Sequence, residues 1–159
     1  MARRSRFVDF WLRALSHAHG LLVRVTGWRL GAGIVGMPVV VLVTTGRRTG
    51  RRRRVVLSSP VVDGARVVLV ASRGGDDRDP AWYRNLVAHP SVELTMGGVA
   101  RRMTARTADA EERAELWPRV VGAYGGYAAY QRRTTREIPL VICDPDDGGP
   151  PERRDPGLA

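Results

Sequence analysis

The chain of 159 residues has no lysine, one cysteine, three histidines, and aromatic side chains at only 6% of positions. A lone cysteine, Cys143, rules out an intramolecular disulfide and points to a reducing compartment. Its place after the apolar run Leu140-Val141-Ile142 makes it a buried, inert thiol rather than a nucleophile. His17 and His19 have no third ligand at metal spacing, and no Ser/His/Asp triad, metal-ligand cluster or Walker-type phosphate loop is present. A membrane-crossing helix needs about 20 consecutive apolar residues, and no such stretch exists. Nor do the N-terminal arginines precede an uninterrupted apolar core and a small-residue cleavage site, so no signal peptide is expected. Acid is scarce in one region only. The first 60 residues carry twelve arginines and one carboxylate, Asp9, whereas the remaining 99 are nearly balanced.

The net charge of +10 is therefore an arginine charge concentrated in the N-terminal part. Its densest run is TTGRRTGRRRR at 44–54, between the apolar runs 39–43 and 55–57. Two strands are expected to meet there in an arginine-rich turn. Gly46 and Gly50 are expected to take the positive φ that a tight connection needs, and Thr44, Thr45 and Thr49 offer hydroxyls beside backbone N–H groups. Arginine forks onto phosphate or carboxylate oxygens in pairs, so a polyanion is the expected ligand. Strand alternation limits the run, because Arg52 and Arg54 share one face and Arg51 and Arg53 the other. A solvated hairpin tip is the alternative reading of such a charge run.

With 43% apolar residues the chain is globular and of one-domain size. Residues 1–26 repeat apolar side chains at helical spacing, with Phe7, Phe10, Trp11 and Leu15 in the stripe and Arg6, Arg13 and Arg24 away from it. Such a helix either packs on its own domain or lies in an anionic membrane interface. Strands are expected at 39–45, 53–59, 66–72, 92–96, 99–104 and 140–143, with hairpin turns at Asp63-Gly64 and Gly97-Gly98. Many short strands with tight turns favour a barrel. Helices are expected at 80–88, with Asp79 as N-cap and Pro80 in the first turn, and at 108–124, kinked or restarted by Pro118. The folded domain spans 27–145, and 146–159 reads as a disordered tail. In the segment Tyr124-Gly125-Gly126-Tyr127-Ala128-Ala129-Tyr130, three phenols are close enough to stack on a flat substrate and donate to its oxygens, or to pack a helix on the barrel.

TTGRRTG at 44–50, ASRGG at 71–75, DPAWYRNLVAHP at 79–90 and the stretch 115–145 together resemble the deazaflavin-dependent nitroreductase and quinone reductase family. The resemblance implies a mainly β fold with flanking helices, a split β-barrel of the flavin-reductase and pyridoxamine-oxidase type. It implies coenzyme F420 as cofactor, with hydride passing from the reduced deazaflavin to a quinone or a nitroaromatic acceptor. It places Arg47, Arg48, Thr49, Gly50 and Arg53, with Arg73 nearby, at the cofactor phosphate and glutamate tail. Leu57, Ser58, Ala71, Ser72, Gly74, Gly75, Ala81, Trp82, Tyr83 and Asn85 join the cofactor set, and Ser72, Tyr124, Tyr127 and Tyr130 face the acceptor. In the family pattern His often stands at Asp79, proline at Val56 and an aromatic near Ser58 or Ser59, so acceptor choice is where the chain departs. An FMN-binding barrel enzyme and a basic protein binding membrane or nucleic acid are the alternatives. The favoured reading takes no nucleic acid and puts the protein in the cytoplasm or peripherally on the inner membrane face.

Overall fold

The computed structural model describes residues 36–146 and the backbone of a two-residue strand at 152–153. The expected helix at 1–26 lies outside the described residues.

Eight strands form one antiparallel sheet: β1 (Val39–Thr45), β2 (Arg52–Ser58), β3 (Val61–Asp63), β4 (Arg66–Val70), β5 (Ser91–Met96), β6 (Val99–Thr107), β7 (Leu140–Pro145) and β8 (Glu152–Arg153). Seven of them run in the order β2-β1-β5-β6-β7-β4-β3, curling into a half-barrel, and β8 pairs with β6 at Val99 and Ala100. The helices among the described residues are α1 (Ala81–Ala88), α2 (Ala110–Ala123) and α3 (Gly126–Gln131).

The apolar runs of β4 and β7 are continuous because both faces of the sheet are covered there. Val67, Leu69, Val141 and Cys143 point to a core closed by Trp82 and Leu86 of α1, together with Val40 and Leu42. Their neighbours Val68, Val70, Leu140 and Ile142 point the other way, onto Leu116 and Val120 of α2 and Tyr127 of α3. Cys143 is fully buried and burial pushes its thiol up to about 12, which fits the inert role expected of it.

Seven of the eight elements expected among the described residues begin and end within two residues of expectation, the ordinary scatter of element ends. Gly97 and Gly98, with φ of 57° and 82°, form the two-residue turn between β5 and β6. Other expectations need correction. Strand β3 was not expected; it pairs Asp63 with Arg66, so the turn is Gly64-Ala65 and not Asp63-Gly64. Strand β6 continues to Thr107, because β7 pairs with its second half. Pro118 lies inside α2 without ending it; Leu116 and Val120, both buried, hold the helix to the sheet on either side of the missing N–H. Helix α2 begins with a capping box in which Asp109 accepts from the Glu112 N–H and Glu112 accepts from the Asp109 N–H. Asp79 does not cap α1; its carboxylate takes a charge-assisted bond from Arg136 at 2.9 Å instead. Within the expected tail, Glu152 and Arg153 extend the sheet.

Candidate functional site

The arginine run does form the β1–β2 hairpin, with Thr45 opposite Arg52. Its turn closes by Gly46 N–H to Arg51 O at 2.8 Å and Gly50 N–H to Gly46 O at 2.8 Å. Gly50 takes the expected positive φ, 64°, but Gly46 does not. Gly46 is required by space: a Cβ there would sit 2.9 Å from Thr49 Oγ1 and 3.1 Å from Arg51 O.

Asn85 ties this turn to α1. Its Oδ1 accepts from the Arg47 N–H and its Nδ2 donates to Thr44 Oγ1, both at 3.2 Å, and both Asn85 and Thr44 are buried. Between turn and helix lies a cleft of about 410 Å³ lined by Gly46, Arg47, Arg48, Thr49, Arg53, Arg54, Val55, Ala81, Trp82, Arg84 and Asn85. No carboxylate lines it. Arg52 lies outside, paired with Glu93 at 2.8 Å. Seven residues expected at the cofactor, Arg47, Arg48, Thr49, Arg53, Ala81, Trp82 and Asn85, are thus on one cleft.

Gly46, Arg54, Val55 and Arg84 are additions to the set. Arg84 was legible: it stands three residues after Ala81 and next to Asn85, so all three share a helix face. Arg53 and Val55 follow the alternation rule, their cross-strand partners Thr44 and Leu42 being buried towards α1. Arg54 reaches the cleft from the other strand face, an exception to that rule.

The remaining expected cofactor residues, Gly50, Leu57, Ser58, Ala71, Ser72, Arg73, Gly74, Gly75 and Tyr83, do not line this cleft. Leu57 packs on the α1-side core, and Tyr83 bonds through its hydroxyl to Thr107 Oγ1 at 2.9 Å. Residues 73–75 form a 3-10 turn in which Arg73, Gly74 and Gly75 have φ of 47°, 68° and 81°. Arg73 is unusual there, since a non-glycine side chain in the left-handed region carries strain that surrounding structure must hold. Its guanidinium lies 3.8 Å from Asp76. Ser72, immediately before the turn, is 9% exposed, and its hydroxyl has no hydrogen-bond partner among the described residues.

Tyr124, Tyr127 and Tyr130 meet as a three-ring cluster, with centroids 5.4, 6.3 and 6.1 Å apart in edge-on contacts. The cluster abuts the 3-10 turn: a Cβ on Gly75 would stand 2.7 Å from Tyr130 O, and Arg133 spans from the Tyr130 ring to Gly74 O. Gly126 has no side chain because the Tyr124 ring occupies that space. Tyr127 belongs to the core, and burial pushes its phenol up to about 12. Tyr130 is also raised, first by its hydrogen bond with Tyr124 and then by burial. Both phenols are therefore neutral at physiological pH.

The curled antiparallel half-barrel with its flanking helices defines a protein of the split-barrel class. The fold comparison agrees: a pyridoxinephosphate oxidase family protein from Clostridium acetobutylicum superposes with a TM-score of 0.50 at 11% identity, over 80% of this chain and 84% of that one. The chain belongs to the F420H(2)-dependent quinone reductase family, whose profile matches residues 15–145. An F420H(2)-dependent quinone reductase of Mycobacterium tuberculosis is 38% identical over 133 residues, 80% of this chain and 88% of that protein. A solved F420-H2 dependent reductase, FDR-A, is 40% identical with a TM-score of 0.62, covering 67% of this chain and 94% of its own.

Proposed function

We propose that the protein reduces a quinone with coenzyme F420, holding the cofactor's anionic arm at the arginine cleft. The observation that carries this reading is the set of five arginines, Arg47, Arg48, Arg53, Arg54 and Arg84, around one cleft with no carboxylate lining it. Cations without carboxylate partners in such a cleft suit a ligand bearing phosphate and several carboxylates, and Trp82, Val55 and Ala81 give it an apolar wall for a flat ring. When bound, the reduced deazaflavin supplies a hydride. The chain's own residues bind, orient and keep protons in place. Arg47, Arg48 and Arg53 hold the anionic arm, with Thr49 beside them. Tyr124 and Tyr130 direct phenol protons at the acceptor's oxygens, and Ser72 is a second donor; Tyr127 holds the other two rings in place. Hydrogen bonds aimed at oxygens that gain negative charge stabilise the transition state more than the ground state. Nitroaromatic compounds present similar oxygens and are a second acceptor class for the same donors.

The test is titration of coenzyme F420 fluorescence with purified protein, with FMN as the competing cofactor, followed by oxidation of the reduced cofactor by menadione. Saturable quenching and quinone-dependent turnover are expected. Binding of FMN in preference to F420 would overturn the reading.

Among the described residues no helix is long and apolar enough to cross a membrane. The sequence stripe at 1–26 supports peripheral contact with an anionic surface, where each arginine contributes about 1 kcal/mol. Full-length protein is expected to co-sediment with phosphatidylserine vesicles, and a chain starting at Gly27 is not. Equal pelleting of the two would mean that the helix packs on the barrel.

A further inference from the structure

We infer that Arg136, in the connector between α3 and β7, is a positioning residue that fixes the Ala71–Asp79 loop relative to the tyrosine cluster. Its guanidinium collects four acceptors from that one loop. Nε donates to Asp76 O at 2.9 Å, and one terminal nitrogen donates to Asp79 Oδ1 at 2.9 Å. The other terminal nitrogen reaches both Ala71 O at 3.0 Å and Ser72 O at 3.1 Å. The side chain is 16% exposed, so these bonds are largely shielded from water.

Arg136 is itself fixed. Gln131, the last residue of α3, donates from Nε2 to Arg136 O at 2.8 Å and accepts at Oε1 from the Ile138 N–H at 2.9 Å. Helix α3 carries Tyr127 and Tyr130, whereas the loop carries Ser72 and the left-handed run Arg73-Gly74-Gly75. The clamp therefore joins the two groups of acceptor donors. It also spans the loop that leads from the end of β4 into α1, whose Trp82 and Asn85 line the cleft. A guanidinium fork suits this task because it offers five N–H groups in one plane, where an ammonium offers three on a flexible stem. It also accounts for the Asp79 carboxylate, which turns to Arg136 and leaves α1 without a side-chain cap.

The inference rests on the proposed assignment of Ser72 and Tyr130 to the acceptor, and its test separates the two. The variants are Arg136→Lys and, as a milder break that keeps the carbonyl contacts, Asp79→Asn. Amide hydrogen exchange on the protein without cofactor is expected to speed up by about tenfold or more in the 71–79 segment of Arg136→Lys, and less in Asp79→Asn, with the sheet unchanged. With wild-type protein competent in quinone reduction, Arg136→Lys is expected to lower kcat by about 10- to 100-fold while F420 affinity changes little, since a displaced orienting group costs that much. Arg136→Ala should regain turnover when ethylguanidinium is added. Unchanged exchange in the 71–79 segment of both variants would overturn the clamp whatever the cofactor proves to be. Faster exchange with undiminished kcat would overturn its role in positioning the donors. Failure of the wild type to bind F420 would overturn the functional reading instead, and exchange would still decide the clamp.

Discussion

Arginines on the two sides of this molecule do different work. On the α2 and α3 side they are bound into the structure: Arg106 to Glu112 at 2.6 Å, Arg119 to Asp63 at 2.7 Å, Arg113 to Glu137 at 3.0 Å and Arg136 to Asp79 at 2.9 Å. At the β1–β2 hairpin and α1, five line a cleft with no carboxylate among its lining residues. A guanidinium already forked onto a carboxylate has few donors left for a ligand, whereas one without such a partner repels its neighbours until an anion arrives. The contrast teaches that pairing is local: arginines are tied to carboxylates on one side of the molecule and gathered without them at the cleft on the other. On the proposed reading it also separates two tasks, with affinity assigned to the arginines and acceptor orientation to the phenols.

The separation is broken most strongly at the cleft. Replacing Arg47 and Arg48 together by Ala should weaken F420 binding well beyond tenfold, because each charge-assisted bond contributes about 1.5–3 kcal/mol. Fluorescence titration at low and moderate salt measures this, and an unchanged Kd would show that the cleft is not the anion site. Next in size is the donor side. Tyr130→Phe and Ser72→Ala are expected to lower quinone turnover by as much as about 10²-fold with F420 affinity nearly intact. Parallel loss of affinity and turnover would merge the two tasks and make the tyrosine cluster structural.

The smallest effects concern stability on the α2 side. Asp109→Ala should cost about 1 kcal/mol through loss of the capping box, read as a lower denaturation midpoint. Glu112 gives that box a pH dependence. Its carboxylate is held down to about 2, first by the hydrogen bond from Arg106 and then by the Asp109 N–H. The unfolded value is near 4.5, so this contribution is complete above that pH and is lost as pH falls towards 2. Tyr127 acts in the opposite range. Its neutral phenol is favoured by burial, so its contribution is complete below the ordinary value of 10.0 and is lost as pH rises towards 12. Denaturation midpoints across pH should show both limbs, and Tyr127→Phe should flatten the alkaline one.

The sheet was largely legible because its strands are apolar runs bounded by glycine turns, and the seven cleft residues were legible because they sit in local motifs. What escaped depends on distant partners. Nothing near Asp79 reveals that its carboxylate is taken by a guanidinium 57 positions later, so a local capping signal read correctly by its own rule gave the wrong partner. Strand β3 escaped because three residues between Pro60 and a turn are too short to show a period. Gly46 was assigned to backbone freedom when its constraint is crowding by Thr49 and Arg51, a distinction that requires coordinates. Helix α2 outlasts Pro118 because packing on either side of the proline outweighs a propensity rule.

The position of β7 between β6 and β4 governs when this chain can fold during synthesis. Until Leu140–Pro145 has left the ribosome, both neighbours show open edges, and Val67 to Val70 have no strand to pair with on that side. The sheet therefore closes late, through contacts between residues some 70 positions apart, the kind of pairing that slows folding and lengthens exposure to aggregation. A nascent chain stalled before Leu140 should be a client for holdase chaperones, however complete its arginine hairpin already is.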